Sequence, residues 1–332
     1  MILSVGELTQ PGLLLIMVLM NTSLRLVILG TAGALGLAGC GSSPASDQPA
    51  PHVVAAFYPL EWAASSVLGE HGSVTTLTTP GAEAHDLELT PQQIASLADA
   101  DLVVYLAGFQ PAVDDAIEQS GAERVLDAAT VVDLLPVAEE HVHGAEAEEH
   151  TADDGHDHGE FDPHFWQDPT RMAALVEELG AQLAEIDPEH ADDYSAGATE
   201  TVAALGVLDT ELAAGLDECV RREFITTHAA FHYLASRYQL TEIGISGVSP
   251  DDEPSPARIK EIQDEATAHG VTTIFFETLT SDAVAASIAE DLGLKTAVLD
   301  PLEGITDQSP GTDYPSIMRA NLSALATAND CS

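Results

Sequence analysis

Basic residues are the scarcest class in this chain. Lys and Arg number 10 against 55 Asp and Glu in 332 residues, a formal charge of −45. Phosphate binding needs clustered cations, so no nucleic-acid partner is expected. The excess of acid favours solubility and draws cations towards the surface. A saline habitat or a high-GC genome would leave the same composition. A His-Glu-x-x-His helix is lacking, and no set of substrate-pocket residues stands out, which argues against a zinc hydrolase. Cysteine is also rare, with only Cys40, Cys219 and Cys331.

The apolar stretch at 11–39 is interrupted by Asn21, Thr22, Ser23 and Arg25. It is too short and too rich in small residues to favour a spanning helix, and reads as a signal peptide over 1–40. Met20 opens a compact signal by itself, so the true start is expected there as an alternative. Leu37-Ala38-Gly39-Cys40 resembles a bacterial lipobox, which implies a lipidated Cys40; a plain secretory signal with a chance cysteine is the other reading. Acyl chains would hold the protein on the outer face of the cytoplasmic membrane. Residues 41–51, rich in Ser, Pro, Asp and Gln, read as a linker. With Cys40 assigned, an oxidising compartment suggests a Cys219–Cys331 disulfide. Two free buried thiols are the alternative.

About 280 residues follow the linker. That exceeds one compact core, so two lobes are expected. Short β-branched runs alternate with helix-length segments, the pattern of βα units and parallel sheets. Strands are predicted at 52–57, 74–78, 102–105 and 124–126, then at 223–227, 240–245, 272–276 and 295–299. Asp187-Pro188 is expected to cap a helix over 188–216, whose apolar residues Tyr194, Ala198, Val202, Leu205, Leu208 and Leu212 recur near a helical period. That helix suits a rigid connector between an N-terminal α/β lobe (52–187) and a C-terminal one (217–332).

Histidine is where the sequence becomes specific. Six of thirteen histidines lie in 139–168. His141, His143, His150, His156 and His158 fall among acids, Gly and Ala in a tract, 139–160, too polar to order without metal. Such a composition is a sign of metal binding, here expected to be accessory capture. His164 lies outside the tract in Asp162-Pro163-His164-Phe165-Trp166. His85 follows the second strand, His228 the first strand of the second half, and Asp300 its last. Open parallel sheets bind ligands beyond the carboxyl ends of their strands. Two facing lobes would therefore bring His85, His164, His228 and Asp300 to one cleft. Three imidazoles and one carboxylate suit Zn²⁺. Glu277, after the third strand of the second half, is a candidate to orient a ligand histidine; the alternative is an acid near the start of the next helix. Asp162 has a similar candidate role, or simply turns the chain. His232, a helical turn from His228, reads as a partly exposed helix residue rather than a spare ligand.

Four segments carry a family resemblance over nearly all of 52–331. Pro80-Gly81-Ala82-Glu83-Ala84-His85-Asp86-Leu87-Glu88-Leu89-Thr90-Pro91, Asp162-Pro163-His164-Phe165-Trp166-Gln167-Asp168-Pro169, Thr227-His228-Ala229-Ala230-Phe231-His232-Tyr233-Leu234 and Leu299-Asp300-Pro301-Leu302 resemble the ligand loops of substrate-binding lipoproteins of zinc ABC importers. Phe57-Tyr58-Pro59 resembles that family's opening strand and turn. Ala84 and Leu87 depart from the usual Pro and aromatic of the first loop. The resemblance implies a stiff, monomeric two-lobed receptor with a long connector helix, Zn²⁺ as transported ligand, an ABC permease as partner and no catalysis. A histidine at 228, where manganese-type relatives commonly have glutamate, points to zinc. A manganese or iron receptor is the alternative, ahead of a zinc-dependent hydrolase.

Overall fold

The structure, a computed structural model, describes residues 50–137 and 161–332. The expected signal segment with Cys40 and the tract histidines His141, His143, His150, His156 and His158 lie outside the described residues.

Eight short strands form two four-stranded parallel sheets. The first contains β1 (His52–Ala55), β2 (Ser73–Thr76), β3 (Leu102–Tyr105) and β4 (Val125–Asp127), in the order β2-β1-β3-β4. Around it run α1 (Tyr58–Leu68), α2 (Pro91–Ala98) and α3 (Pro111–Ser120). The second contains β5 (Glu223–Thr226), β6 (Thr241–Gly244), β7 (Thr273–Phe276) and β8 (Lys295–Val298), in the order β6-β5-β7-β8. Its helices are α6 (His232–Tyr238), α7 (Pro256–His269), α8 (Ala283–Leu292) and α9 (Tyr314–Asn329), while α4 (Pro169–Ile186) and α5 (Ala191–Leu216) lie between the two halves of the sequence. Central strands such as Leu102–Tyr105 bury both faces, which is why they read as continuous apolar runs.

Helix starts follow local chemistry. Thr90 and Asp313 each close a reciprocal capping box, with Gln93 and Ser316. The Asp168 carboxylate accepts the Thr170 N–H with Pro169 in the first turn of α4. The expected cap at Asp187 is different. Its backbone N–H closes α4 on the Leu183 carbonyl, residues 188–190 form a turn, and α5 begins at Ala191. At 26 residues α5 is roughly 39 Å long. It buries Tyr194, Ala198, Thr201, Leu205, Leu208, Leu212 and Leu216, one stripe at intervals of three and four. A Cβ on Gly180 of α4 would come within 2.7 Å of the Ala198 Cβ, so glycine is what lets these two helices pack closely.

The main core is continuous across both lobes, from Val53 and Phe57 through Trp166 and Leu212 to Phe224 and Tyr314. Polar contacts reinforce it. Trp166 Nε1 and Gln167 Nε2 both donate to the Pro301 carbonyl, and Tyr314 donates its hydroxyl to the Trp166 carbonyl. Cys219 and Cys331 are disulfide-bonded, fastening the end of the chain to the segment after α5. Among the described residues no helix is long and apolar enough to cross a membrane.

Candidate metal centre

In each sheet the chain order reverses between the two central strands, β1 and β3 in one, β5 and β7 in the other. A crevice opens beyond the carboxyl ends at such a point. His228 lies just past β5 and Glu277 is the residue after β7. From the other sheet, His85 arrives in the loop after β2 and packs edge-on against Phe109, with ring centroids 4.7 Å apart. His164 comes from the turn before α4, held between Phe109 and the buried Trp166.

The three imidazoles converge on one atom. Nε2 of His85, His164 and His228 lie 3.4, 3.2 and 3.2 Å from Glu303 Oε1. The four potential ligand atoms all lie within 4.8 Å of one another. A tetrahedral shell with bonds of about 2.0–2.1 Å has edges of about 3.3 Å, which the three distances to Glu303 Oε1 match. His164, His228 and Glu303 are fully buried, and Glu303 Oε2 has no hydrogen-bond partner.

At the fourth position the structure places a different residue from the one the sequence suggested. Glu303, not Asp300, stands beside the three rings. Asp300 Oδ1 accepts the Leu302 N–H at 2.8 Å, and Asn321 bonds both backbone groups of Asp300. Leu302 then adopts φ 65, a left-handed conformation unusual for leucine. That reversal, anchored at the Pro301 carbonyl, carries Glu303 into the crevice.

Carboxylates also stand behind two of the rings. Asp162 Oδ1 lies 2.8 Å from His164 Nδ1, and Glu277 Oε1 lies 2.7 Å from His228 Nδ1. Each directs Nε2 towards the centre, the way metal-ligating histidines are usually fixed. Glu277 also accepts the Thr227 hydroxyl, while the next helix, α8, is preceded by Asp282. His232 Nδ1 sits 3.5 Å from Asp162 Oδ2, away from the four-donor group.

Protonation follows from these pairs. Burial alone would lower the His164 pKa, but the Asp162 and Glu303 carboxylates overcome it and raise it to about 9. Burial opposes His228 in the same way, and Glu277 and Glu303 carry it well above its usual value. Burial keeps His85 below its usual value despite Glu303. The Glu303 carboxyl, which burial would raise, is held far down by His85, His228 and His164. Nearby Glu83 is raised to about 7, first by burial and then by Glu303. These pairs favour the imidazolium form of His164 and His228 and the ionised form of Glu303.

Two α/β lobes thus gather three imidazoles and a carboxylate in their crevice, a donor set that could hold a divalent metal ion. The chain matches the family model of the zinc-uptake complex component A, periplasmic, over residues 53–328, and it belongs to that family. It is 34% identical to a zinc-binding lipoprotein, AdcA, of Streptococcus pneumoniae over 92% of this chain and 60% of that one. With the high-affinity zinc uptake system protein ZnuA of Bacillus subtilis it shares 36% identity, over 87% of this chain and 92% of that one. Among solved structures, the Zn(II)-bound ZnuA-like domain of Streptococcus pneumoniae AdcA aligns with a TM-score of 0.69 and 31% identity, covering 85% of this chain and all of that one. The chain spans about 60% of the length of the AdcA lipoprotein it matches.

Proposed function

We propose that this protein captures Zn²⁺ outside the cytoplasmic membrane and hands it to the permease of an ABC importer. His85, His164, His228 and Glu303 are the ligands, with Asp162 and Glu277 fixing the rings of His164 and His228. The observation that carries this reading is the set of three Nε2 atoms 3.2–3.4 Å from one carboxylate oxygen. Zinc is cargo here, not a cofactor. Four protein donors complete a tetrahedral shell, whereas a hydrolytic site keeps a position open for water. Three imidazoles favour zinc over manganese, which prefers oxygen. The names borne by the relatives agree with that choice. Cys40 supplies the lipid anchor, the receptor acts as a monomer, and the tract 139–160 gathers zinc at lower affinity near the crevice. Its domains divide at 52–187, 188–216 and 217–332, with 188–216 the connector.

Competitive titration of the mature chain with zinc and manganese tests the site. Glu303→Gln should lower tight zinc affinity strongly, and His228→Glu should lose the preference for zinc over manganese. Unchanged affinity in the first and unchanged selectivity in the second would defeat the assignment. Deleting 139–160 should leave the tight site occupied.

A further inference from the structure

The residue that orients His164 is itself held from the other half of the sequence. Asp162 is buried, and its Oδ1 accepts the His164 N–H at 2.9 Å besides lying 2.8 Å from His164 Nδ1. A carboxylate can aim a ring only if its own backbone is fixed. Both backbone groups of Asp162 are taken. Its N–H donates to the Leu135 carbonyl at 2.9 Å, and its carbonyl accepts the Tyr233 hydroxyl at 2.6 Å. The same hydroxyl accepts the Leu135 N–H at 2.8 Å. It thereby bridges the two segments that flank residues 138–160.

Tyr233 is built in firmly. It lies in the first turn of α6, soon after His228 in the chain, and is buried. The Arg171 guanidinium of α4 stands over its ring, 5.0 Å from the centroid. Burial raises its pKa, so the hydroxyl stays protonated and can donate. The neighbouring His232 faces Asp162 Oδ2 at 3.5 Å, too long for a well-formed hydrogen bond. The hydroxyl is therefore the short polar contact from α6 to Asp162.

We propose that Tyr233 is a positioning residue for zinc binding, acting on His164 through Asp162 and linking the His228 segment to the His164 loop. The assignment rests on the zinc reading given above. The chain leads from His228 to Tyr233, Tyr233 holds the Asp162 carbonyl, and Asp162 aims His164. A shift of either ligand loop is passed to the other. Without the hydroxyl, the Asp162 carbonyl and the Leu135 N–H each lose a partner, and Asp162 is free to turn.

Tyr233→Phe keeps the ring and its contact with Arg171 and removes only the hydroxyl. Competition with a chelator should show zinc bound about tenfold more weakly. A loosened fold would do the same, so a double-mutant cycle separates the two. In an Asp162→Ala background no carboxylate remains to be aimed, and the tyrosine change should cost less than about twofold. In a Glu277→Gln background, where His228 loses its own carboxylate, the full tenfold should reappear. An equal loss in all three backgrounds overturns the assignment in favour of a general packing role. Glu303→Gln is measured alongside. If it weakens zinc and Tyr233→Phe does not, the tyrosine assignment falls alone. If neither weakens zinc, the reading of the centre falls with it.

Discussion

Zinc must displace protons to enter the buried centre, and their number can be worked out from the geometry. His164, at about 9, and His228, raised well above its usual value, both carry a proton on Nε2 at neutral pH. Those are the atoms an ion needs. Their Nδ1 protons stay on the rings, donated to Asp162 and Glu277. Glu303 is already ionised and His85 already neutral, so neither adds to the count. Two protons should therefore leave per tightly bound ion around pH 7. Apparent affinity should rise about a hundredfold per pH unit between roughly 6 and 8, or about 2.7 kcal/mol per unit from two protons at 1.36 each. Calorimetric titration in several non-coordinating buffers of different ionisation enthalpy reads the number directly, for the first equivalent only. Asp162→Asn removes the charge that raises His164 and should drop the count by about one. Release of fewer than one proton per ion at pH 7 in the wild-type protein would refute the reasoning.

The same charges make three further predictions. Glu277→Gln should weaken tight zinc binding about 10–100-fold with the fold intact, measured by competition with a chelator. In the metal-free protein, His164 stabilises most below its unfolded value of about 6.5, and that contribution is lost as pH rises through about 9. Thermal unfolding of that form should accordingly fall in midpoint between pH 7 and 10, and a flat profile would count against the raised histidines. Replacing Cys219 and Cys331 by serine opens a loop with a sequence separation of 112, which the chain-entropy account values at up to about 4.7 kcal/mol. A loss below about 1 kcal/mol in urea unfolding would show that the backbone bonds of Arg221 to Asn329 and Val220 to Asp330 already do that tethering.

The fold was legible because each level of the sequence points the same way. Val53–Ala55 and Val103–Tyr105 alternate with helices that carry Pro in their first turn, the rhythm of parallel βα units. Where the structure departs from that pattern, neighbouring groups have taken over the expected cap. Asp187 looks like a helix opener before Pro188, yet its carboxylate is taken by His190 and Tyr194 and its N–H ends α4. Three histidines of the site could be read because each follows a strand or precedes a helix, where topology fixes direction. The bond from Tyr233 to Asp162 could not, since it depends on how α6 meets the turn before α4.

The fourth position of the cluster shows the limit of position alone. Asp300 and Glu303 share one loop after β8, and strand topology brings both near the crevice. What separates them is the turn between. Asp300 uses its carboxylate to hold the Leu302 N–H, and Leu302 pays about 1–3 kcal/mol of backbone strain at φ 65 to turn Glu303 inward. Nothing in a leucine announces a left-handed residue. This division of labour is testable, because the two roles respond differently to small changes. If Asp300 shapes the turn, Asp300→Asn keeps an acceptor oxygen for the Leu302 N–H and should hold zinc nearly as tightly as the wild type, while Asp300→Ala should loosen the loop and weaken binding by roughly tenfold, the cost of about one hydrogen bond to a charged group. If Asp300 were itself a ligand, asparagine and alanine would both be severe, and Glu303→Gln would be mild. That pattern of zinc affinities would return the fourth position to Asp300.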